Sequence, residues 1–303
     1  MQREKNTIMK KITLIIAAAL IAASLYSQDN PDTSYWHFDG LAGINISQVS
    51  LTNWSAGGES SYSGNALGNL NLRYIKDKNS WENALALGYG LMKQGEQSVR
   101  KTDDRIDFAS KYGRKATEHL YYSAMLKFNT QFTDGYDYPN DSVAISKLMA
   151  PGIVNLSVGI DYKPSENFSL YVGPLSGKVT FVRDDSLSAR GAYGVEPGEN
   201  VRYEFGGSMK VVYQKEILKN VTFLTKLDLF TNYIKNPEKV DISWEVMINM
   251  KVNEYLSANL HTHLMWDDDI KFANVDDEGT IIGDPVSKVQ FKEVFGVGLS
   301  YKF

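Results

Sequence analysis

The sequence predicts an all-β fold, a single antiparallel up-and-down β-barrel of about twelve strands that spans a membrane. Three observations support this prediction. Apolar residues recur at every second position over long stretches, the connections between the stretches alternate between short and long, and aromatic residues gather near both ends of the stretches. Membrane barrels have these properties because one face of each strand meets lipid and the other faces the lumen.

The last stretch, residues 289–303, alternates up to the final residue, which is aromatic. Seven apolar residues share one parity: Val289, Phe291, Phe295, Val297, Leu299, Tyr301 and Phe303. A period of two is that of a strand with one apolar face, and the stretch is longer than most strands of soluble sheets. It resembles the closing strand of a bacterial outer-membrane barrel, in which a terminal aromatic is an assembly signal. The resemblance implies barrel-assembly machinery as a partner during biogenesis.

The first five predicted strands differ in how regular their alternation is. The fifth is the most regular, with Leu120, Tyr122 and Leu126 on one face. The fourth is the shortest and most polar. A polar turn of Lys76, Asp77, Lys78 and Asn79 separates the second strand from the third. The five strands cover residues 34–47, 62–74, 81–91, 105–113 and 120–132.

Seven further strands complete the predicted barrel. Residues 163–167 have turn composition, and Gly173 followed by Pro174 predicts a bulge or bend inside the next strand. An even strand number places both chain termini on the periplasmic side, where the short turns lie. The seven strands cover residues 154–162, 168–181, 201–214, 221–233, 240–252, 256–266 and 289–303.

Aromatic residues separate a membrane barrel from a soluble β-sandwich. Trp36, Trp81 and Tyr162 fall near the short-turn ends of predicted strands, and Tyr62 and Trp266 near the opposite ends. Two such bands are typical of the lipid head-group levels. A sandwich has shorter strands and keeps its aromatics in the core, so we favour the barrel.

The N-terminus predicts a cleaved signal peptide over residues 1–28. Lys10 and Lys11 precede the apolar run 12–25, and a polar segment follows. This is the order of the charged, apolar and cleavage regions of a secretory signal, and the run is short for a permanent anchor. Residues 29–303 would then form one barrel domain.

Charge and cysteine content exclude several classes of function. Removing residues 1–28 takes away four basic residues and one acidic residue, so 32 basic and 36 acidic residues become 28 and 35, a net charge of −7. A net-acidic chain without a basic block argues against nucleic acid as a partner. The chain has no cysteine, which excludes thiol chemistry and cysteine metal sites. We predict no cofactor.

Four further segments resemble an uncharacterised outer-membrane β-barrel family of Bacteroidota, catalogued as a domain of unknown function. They are residues 48–58 (QVSLTNWSAGG), 104–113 (DRIDFASKYG), 159–164 (GIDYKP) and 191–198 (GAYGVEPG). The resemblance implies the barrel fold, a lipid environment and location in the outer membrane of a Gram-negative cell. It brings no activity, substrate or catalytic residue.

The inward parity of the strands carries charges of both signs. Such residues could tune a porin-like narrow pore or small-solute transporter, or they could form ion pairs that fill a closed structural or assembly-partner barrel. Both interpretations stay open. The lumen-lining candidates are Arg73, Lys127, Asp161, Glu204, Lys210, Lys226, Asp228, Glu245, Lys251, His261 and His263.

A third alternative is an outer-membrane lipid hydrolase. His261 and His263 share one face of a strand and could bind a metal, or act with Ser257 or Ser300. The sequence has neither G-x-S-x-G nor H-E-x-x-H, and both imidazoles are predicted to point inward, away from lipid. We therefore predict no catalytic residue.

Two minor features complete the prediction. The acidic loop before the last strand could bind calcium through Asp267, Asp269, Asp276 and Asp277, but its spacing does not match a calcium loop; we predict no metal site. Trp54, beside paired glycines, and Glu293, on the lipid-facing parity of the last strand, are candidate contacts for an unidentified protein partner.

Overall fold

The computed structural model describes residues 35–51, 59–274 and 282–302, with only the backbone for Lys302. The predicted signal peptide, residues 1–28, lies outside these ranges. So do four residues named above, Trp54, Asp276, Asp277 and Phe303.

The described residues form a closed antiparallel barrel of twelve strands, which confirms the predicted fold class. Each strand pairs with the barrel strands before and after it in the chain, and the first pairs with the last. The barrel strands are β1 (Trp36–Val49), β2 (Ser61–Lys76), β3 (Asn79–Gln94), β4 (Arg100–Lys115), β5 (Leu120–Thr130), β8 (Gly152–Ser165), β9 (Phe168–Phe181), β10 (Val201–Leu218), β11 (Val221–Asn232), β12 (Val240–Lys251), β13 (Leu256–Trp266) and β16 (Gln290–Lys302).

Two loops contain short β-ribbons, and a third contains a helix. The ribbons pair β6 (Gly135–Tyr136) with β7 (Ala144–Ser146), and β14 (Lys271–Phe272) with β15 (Val286–Ser287). The helix is α1 (Asp185–Ala189), which Asp184 caps by accepting a hydrogen bond from the Leu187 amide. A small apolar core made of Ala150, Val182, Leu187 and Val195 holds this loop against the end of β8. The sequence predicts irregular loops for all these segments.

The fourth strand is longer than predicted. It begins at Arg100, five residues before the predicted start, and has 16 residues like β2 and β3. Its added segment pairs Lys101 with Leu91 and Asp103 with Gly90 across the β3–β4 ladder. Because the segment is polar on both faces, hydrophobic alternation gave no signal of a strand there.

The outward face of the barrel is apolar and the inward face is polar. Phe291, Phe295 and Leu299 of β16 are each more than 60% exposed on the outer surface, while Lys292, Val294 and Gly296 between them are half-buried. Aromatic pairs lie near both ends of the strands, such as Trp36 with Tyr74 and Phe205 with Tyr233. This is the surface that a lipid bilayer requires of a barrel.

No helix within the described ranges is long and apolar enough to cross a membrane.

The predicted bulge at Gly173 and Pro174 is confirmed. The β8–β9 register passes from Val158 opposite Leu175 to Ile160 opposite Val172, so two residues of β9 oppose one of β8. A second register shift follows on the other side of β9, between Gly206 and Ser208 of β10.

Candidate functional site

The two ends of the barrel are unequal. Five connections are short, residues 77–78, 116–119, 166–167, 219–220 and 252–255, and all lie at one end, here called the short-turn end. The other connections are longer and lie at the opposite, long-loop end. Charged side chains from both ends and from the middle of the strands meet inside the barrel.

An ion pair joins opposite walls at mid-height. Arg105 Nη1 of β4 lies 3.3 Å from Glu245 Oε2 of β12. These two strands are six positions apart in either direction around the twelve-strand barrel, so the pair spans the lumen. Glu245 Oε2 also lies 3.1 Å from His261 Nε2. A salt bridge buried in this way holds the two walls at a fixed separation.

A second ion pair crosses the lumen beside the first. Lys127 Nζ of β5 lies 2.7 Å from Asp228 Oδ1 of β11, and Lys210 Nζ of β10 lies 2.9 Å from the other oxygen of Asp228. The Arg105–Glu245 and Lys127–Asp228 pairs are called the lumen cross-links below. We call the lumen on the two sides of their level the short-turn part and the long-loop part.

The short-turn part contains a compact ionic cluster. Asp161 is 1% exposed and accepts hydrogen bonds from Lys111 (2.6 Å) and Ser169 (2.7 Å). Lys163 Nζ lies 3.4 Å from Asp161 and 2.6 Å from Glu82. The four charged residues come from three strands, β3, β4 and β8. We call Glu82, Lys111, Asp161 and Lys163 the short-turn cluster.

A cavity of about 670 Å³ lies at the level of the lumen cross-links and extends to the long-loop side. Its lining includes Asp103 and Trp266 near the long-loop ends of their strands and both lumen cross-links. Basic and acidic side chains share its wall with apolar ones such as Met125, Met209 and Ile242. The lumen therefore contains a space for water and small solutes beside the ion pairs.

Acidic loop residues bind basic residues at the rim of this cavity. Lys178 lies 2.8 Å from Asp241 and 3.6 Å from Asp267, and Arg202 lies 2.6 Å from Asp269. Asp267 and Asp269, the described calcium candidates, thus have cationic partners within the protein. Among the described residues no group of three or more His, Cys, Asp or Glu side chains is arranged to hold a metal ion.

The carboxylate of the neighbouring loop residue Asp268 accepts hydrogen bonds from two lysines and a serine. Burial opposes its charged form, but hydrogen bonds from Lys239, Lys271 and Ser287 outweigh that effect and lower the pKa of Asp268 to about 2. Lys239 and Lys271 lie 2.8 Å and 3.2 Å from its oxygens. These contacts fix the last long loop against the loop that precedes β12.

The remaining lumen candidates differ in position. Arg73 and Lys251 lie near the short-turn end and are exposed. Glu204 is buried at the long-loop end, where Arg202 and Asn232 donate hydrogen bonds to it. Lys226 lines the cavity and, among the described residues, has no hydrogen bond or ion pair.

The two histidines face inward and stack, with ring centroids 6.3 Å apart. His263 Nε2 lies 2.8 Å from Ser243 Oγ, a partner that the sequence analysis did not select. Ser257, which it did consider, accepts a hydrogen bond from Asn259 instead. Within the described ranges no carboxylate is hydrogen-bonded to His263, so the Ser243–His263 pair lacks the orienting acid of a catalytic triad.

Several residues of the site escaped the sequence-based list. Lys111 shares its inward parity with Arg105, so alternation could have identified it. Lys163 lies where the sequence indicated a turn, and its role depends on β8 continuing to Ser165. Glu293 is exposed on the outer face between Phe291 and Phe295 and pairs across the ladder with Thr262.

Comparison with solved structures returns other barrels. The translocator domain of the autotransporter NalP from Neisseria meningitidis has a TM-score of 0.35 and 8% identity, covering 97% of this chain and 98% of that one. The COG4313 outer membrane channel from Pseudomonas putida F1 has a TM-score of 0.36 and 11% identity, covering 90% and 99%. The ferric yersiniabactin uptake receptor FyuA from Yersinia pestis has a TM-score of 0.27 and 11% identity, covering 90% and 52%.

No curated protein matches the chain in sequence. A family model does match part of it, over β1 to the first loop ribbon. Residues 46–136 match the family described as "Protein of unknown function (DUF3078)", which confirms the predicted resemblance to a domain of unknown function.

Proposed function

We propose that this chain is an outer-membrane barrel that forms a narrow pore for small hydrophilic solutes, with the lumen cross-links at its narrowest point. The observation that carries the proposal is a pair of ion bridges across the lumen, one of them between opposite walls, that line an internal cavity. A cavity that carries charged side chains inside a lipid-facing wall suits hydrophilic solutes.

The proposed membrane location rests on the outer surface. Its strands have 11 to 18 residues, enough to cross the apolar layer at the tilt of a membrane barrel. Exposed apolar side chains cover the wall, and aromatic pairs lie near its ends. We place the short turns, and with them both termini, in the periplasm, because outer-membrane barrels keep their short connections there.

The cross-links would limit passage by both size and charge. A solute that passes must fit beside two bridging side-chain pairs, and breaking a buried pair leaves uncompensated charge in a poorly solvated space. Asp228 faces two lysines and Glu245 faces Arg105, so basic groups outnumber acidic ones at the constriction. The pore would therefore conduct weakly, with a preference for anions, until a bridge is removed.

Single-channel conductance in planar bilayers tests the proposal. We expect small discrete steps from the refolded protein and steps several times larger from the Arg105→Ala/Glu245→Ala double variant, which removes one bridge without changing net charge. The matched control is Lys239→Ala/Asp268→Ala, which removes a 2.8 Å ion pair in the loops and should leave the steps unchanged.

Silence from the correctly folded wild type and from the double variant would reject the pore. A closed structural or assembly-partner barrel would then be favoured, because the short-turn cluster forms a second ionic layer below the cross-links.

A further inference from the structure

The seam between the first and last strands is only partly closed. Among the residues that the structure describes, β1 and β16 share five residue pairs, from Leu41 opposite Lys302 to Asn45 opposite Gly298. Every other pair of neighbouring barrel strands shares ten or more. Residues 46–49 of β1 therefore do not pair with residues 290–297 of β16. These unpaired segments lie toward the long-loop end. We call this the open half of the seam.

Both faces of β1 are exposed at the open half. Ile46, on the outward parity, is 76% exposed, and Ser47, on the inward parity, is exposed as well. Backbone groups along the two edges need hydrogen-bonding partners, because hydrocarbon offers none.

The cavity extends to this gap. Gln290, Phe291 and Lys292 belong to its lining, although Phe291 has the outward parity and is 62% exposed on the outer surface. Phe291 thus borders both the lumen and the lipid side. Outside, Phe291, Phe295 and Ile46 flank the gap, with the exposed Glu293 between the two phenylalanines; inside, the gap is polar.

Polar groups without partners accumulate on the cavity wall. Arg105 Nε, Asn155 Oδ1 and Gln290 Nε2, which are buried and make no hydrogen bond to any described residue, belong to residues that line it. Two of them are donors. The Lys226 ammonium also lines the cavity, with no hydrogen bond or ion pair to any described residue. Buried donors and cations of this kind are stabilised by an anionic acceptor from outside the protein.

We infer that the open half of the seam is a lateral portal for a membrane amphiphile with a phosphate-bearing head group. The head group enters the cavity, where Arg105, Lys226 and Gln290 offer donors to its phosphate. The acyl chain stays in the bilayer against Phe291, Phe295 and Ile46. This arrangement places each part of the ligand against a surface of its own polarity, and it does not depend on ion conduction.

A fluorescence experiment locates the head group. The chain has no cysteine, so Ala86→Cys on the cavity wall can be labelled with bimane in bilayers of defined lipid. We expect stronger quenching by phosphatidylcholine with a nitroxide on its head group than with one on its acyl chain. Ala124 is exposed on the outward face of β5. Bimane on Ala124→Cys should therefore be quenched more strongly by the acyl-chain nitroxide than by the head-group nitroxide. Absence of head-group quenching at Ala86 would overturn the portal.

A disulfide lock tests the route. Continuing the β1–β16 register beyond Asn45 and Gly298 places Ser47 opposite Gly296. In Ser47→Cys/Gly296→Cys, oxidation should reduce the number of phospholipids that native mass spectrometry finds bound, and reduction should restore it. Ile44→Cys/Leu299→Cys, across the paired half, is the matched control and should bind equally in both redox states. If the double variant does not oxidise, a bismaleimide cross-linker replaces the disulfide.

Equal phospholipid binding by the oxidised and reduced forms of Ser47→Cys/Gly296→Cys would contradict the proposal. Pairing of β1 with β16 along their whole length, or a strand of a partner protein between them, would also contradict it. Excess unlabelled phosphatidylethanolamine or lipid A should restore bimane fluorescence, and the better competitor identifies the source of the phosphate. Head-group quenching without conductance would support the portal and reject the pore. Conductance without head-group quenching would support the pore and reject the portal.

Discussion

Asp161 shows how single residues inside this barrel depend on their partners. Its carboxylate is almost completely buried, yet it faces two lysines and a serine hydroxyl within hydrogen-bonding or ion-pair distance. A buried carboxylate without such partners would be very unfavourable. Each member of the short-turn cluster therefore stabilises the barrel only while the others are present.

Asp161→Asn should destabilise the refolded barrel by about 3 kcal/mol, because it leaves Lys111 and Lys163 with only Glu82 as a counter-ion. Urea unfolding measures the difference. Asp39→Asn is the control, since Asp39 is exposed and accepts one hydrogen bond from Asn71; a change within about 1 kcal/mol is expected there. Equal losses of unfolding free energy at both positions would show that burial of the short-turn cluster contributes nothing to stability.

Alternation along the strands identified most of these inward charges but not their pairing. Lys127 and Asp228 are 101 positions apart, and nothing local in the sequence connects them. Their short distance follows from barrel closure, which brings β5 and β11, four strand positions apart, to face one narrow space. The same reason explains why Ser243 was not linked to His263.

At the scale of elements, glycines permit the bends of β8, β9 and β10. A Cβ atom on Gly159 would lie 1.9 Å from the Val172 carbonyl oxygen, and one on Gly206 would lie 1.8 Å from the Thr231 carbonyl oxygen. Both glycines adjoin the register shifts of these strands. Backbone of a neighbouring strand approaches too closely there for any side chain.

Gly206→Ala should therefore destabilise the barrel by at least about 1–3 kcal/mol, the usual cost of overpacking, because the obstacle is backbone and not a movable side chain. Gly68→Ala is the matched control: it also lies in a barrel strand, and nothing lies within 4 Å of its Cβ position. Heat-modifiable gel mobility after refolding would report both effects. A Gly206→Ala barrel as stable as the control would refute the close approach.

Element boundaries follow the sequence where apolar alternation is strong and depart from it where both faces are polar. β9 spans Phe168–Phe181 as predicted, whereas β4 begins five residues early. The β4 extension is held by ladder pairing with β3 and by the Lys101–Asp104 ion pair. Such tertiary contacts leave no periodic hydrophobic signal.

The whole molecule presents an apolar wall to its surroundings, and this makes a depth-dependent prediction. Val158 is 55% exposed near the middle of β8, and Tyr162 is 40% exposed closer to its short-turn end. In a lipid bilayer Val158→Arg should cost about 2–4 kcal/mol and Tyr162→Arg about 0–1 kcal/mol, because an arginine near the interface reaches the head groups.

Reversible folding into lipid vesicles measures both costs. In detergent micelles, which adapt around a charge, the difference between the two variants should shrink. Equal costs at the two positions in vesicles would contradict a bilayer centred on the middle of β8.

The sequence by itself determined the strand number, the alternation of short and long connections, and the face of each strand that meets lipid, because these depend on a period of two read along one strand. The tertiary structure alone decided which charges bridge the lumen, how far the cavity extends and where the wall is open. Those features depend on distances between strands remote in sequence, and on a seam whose two edges lie at opposite ends of the chain.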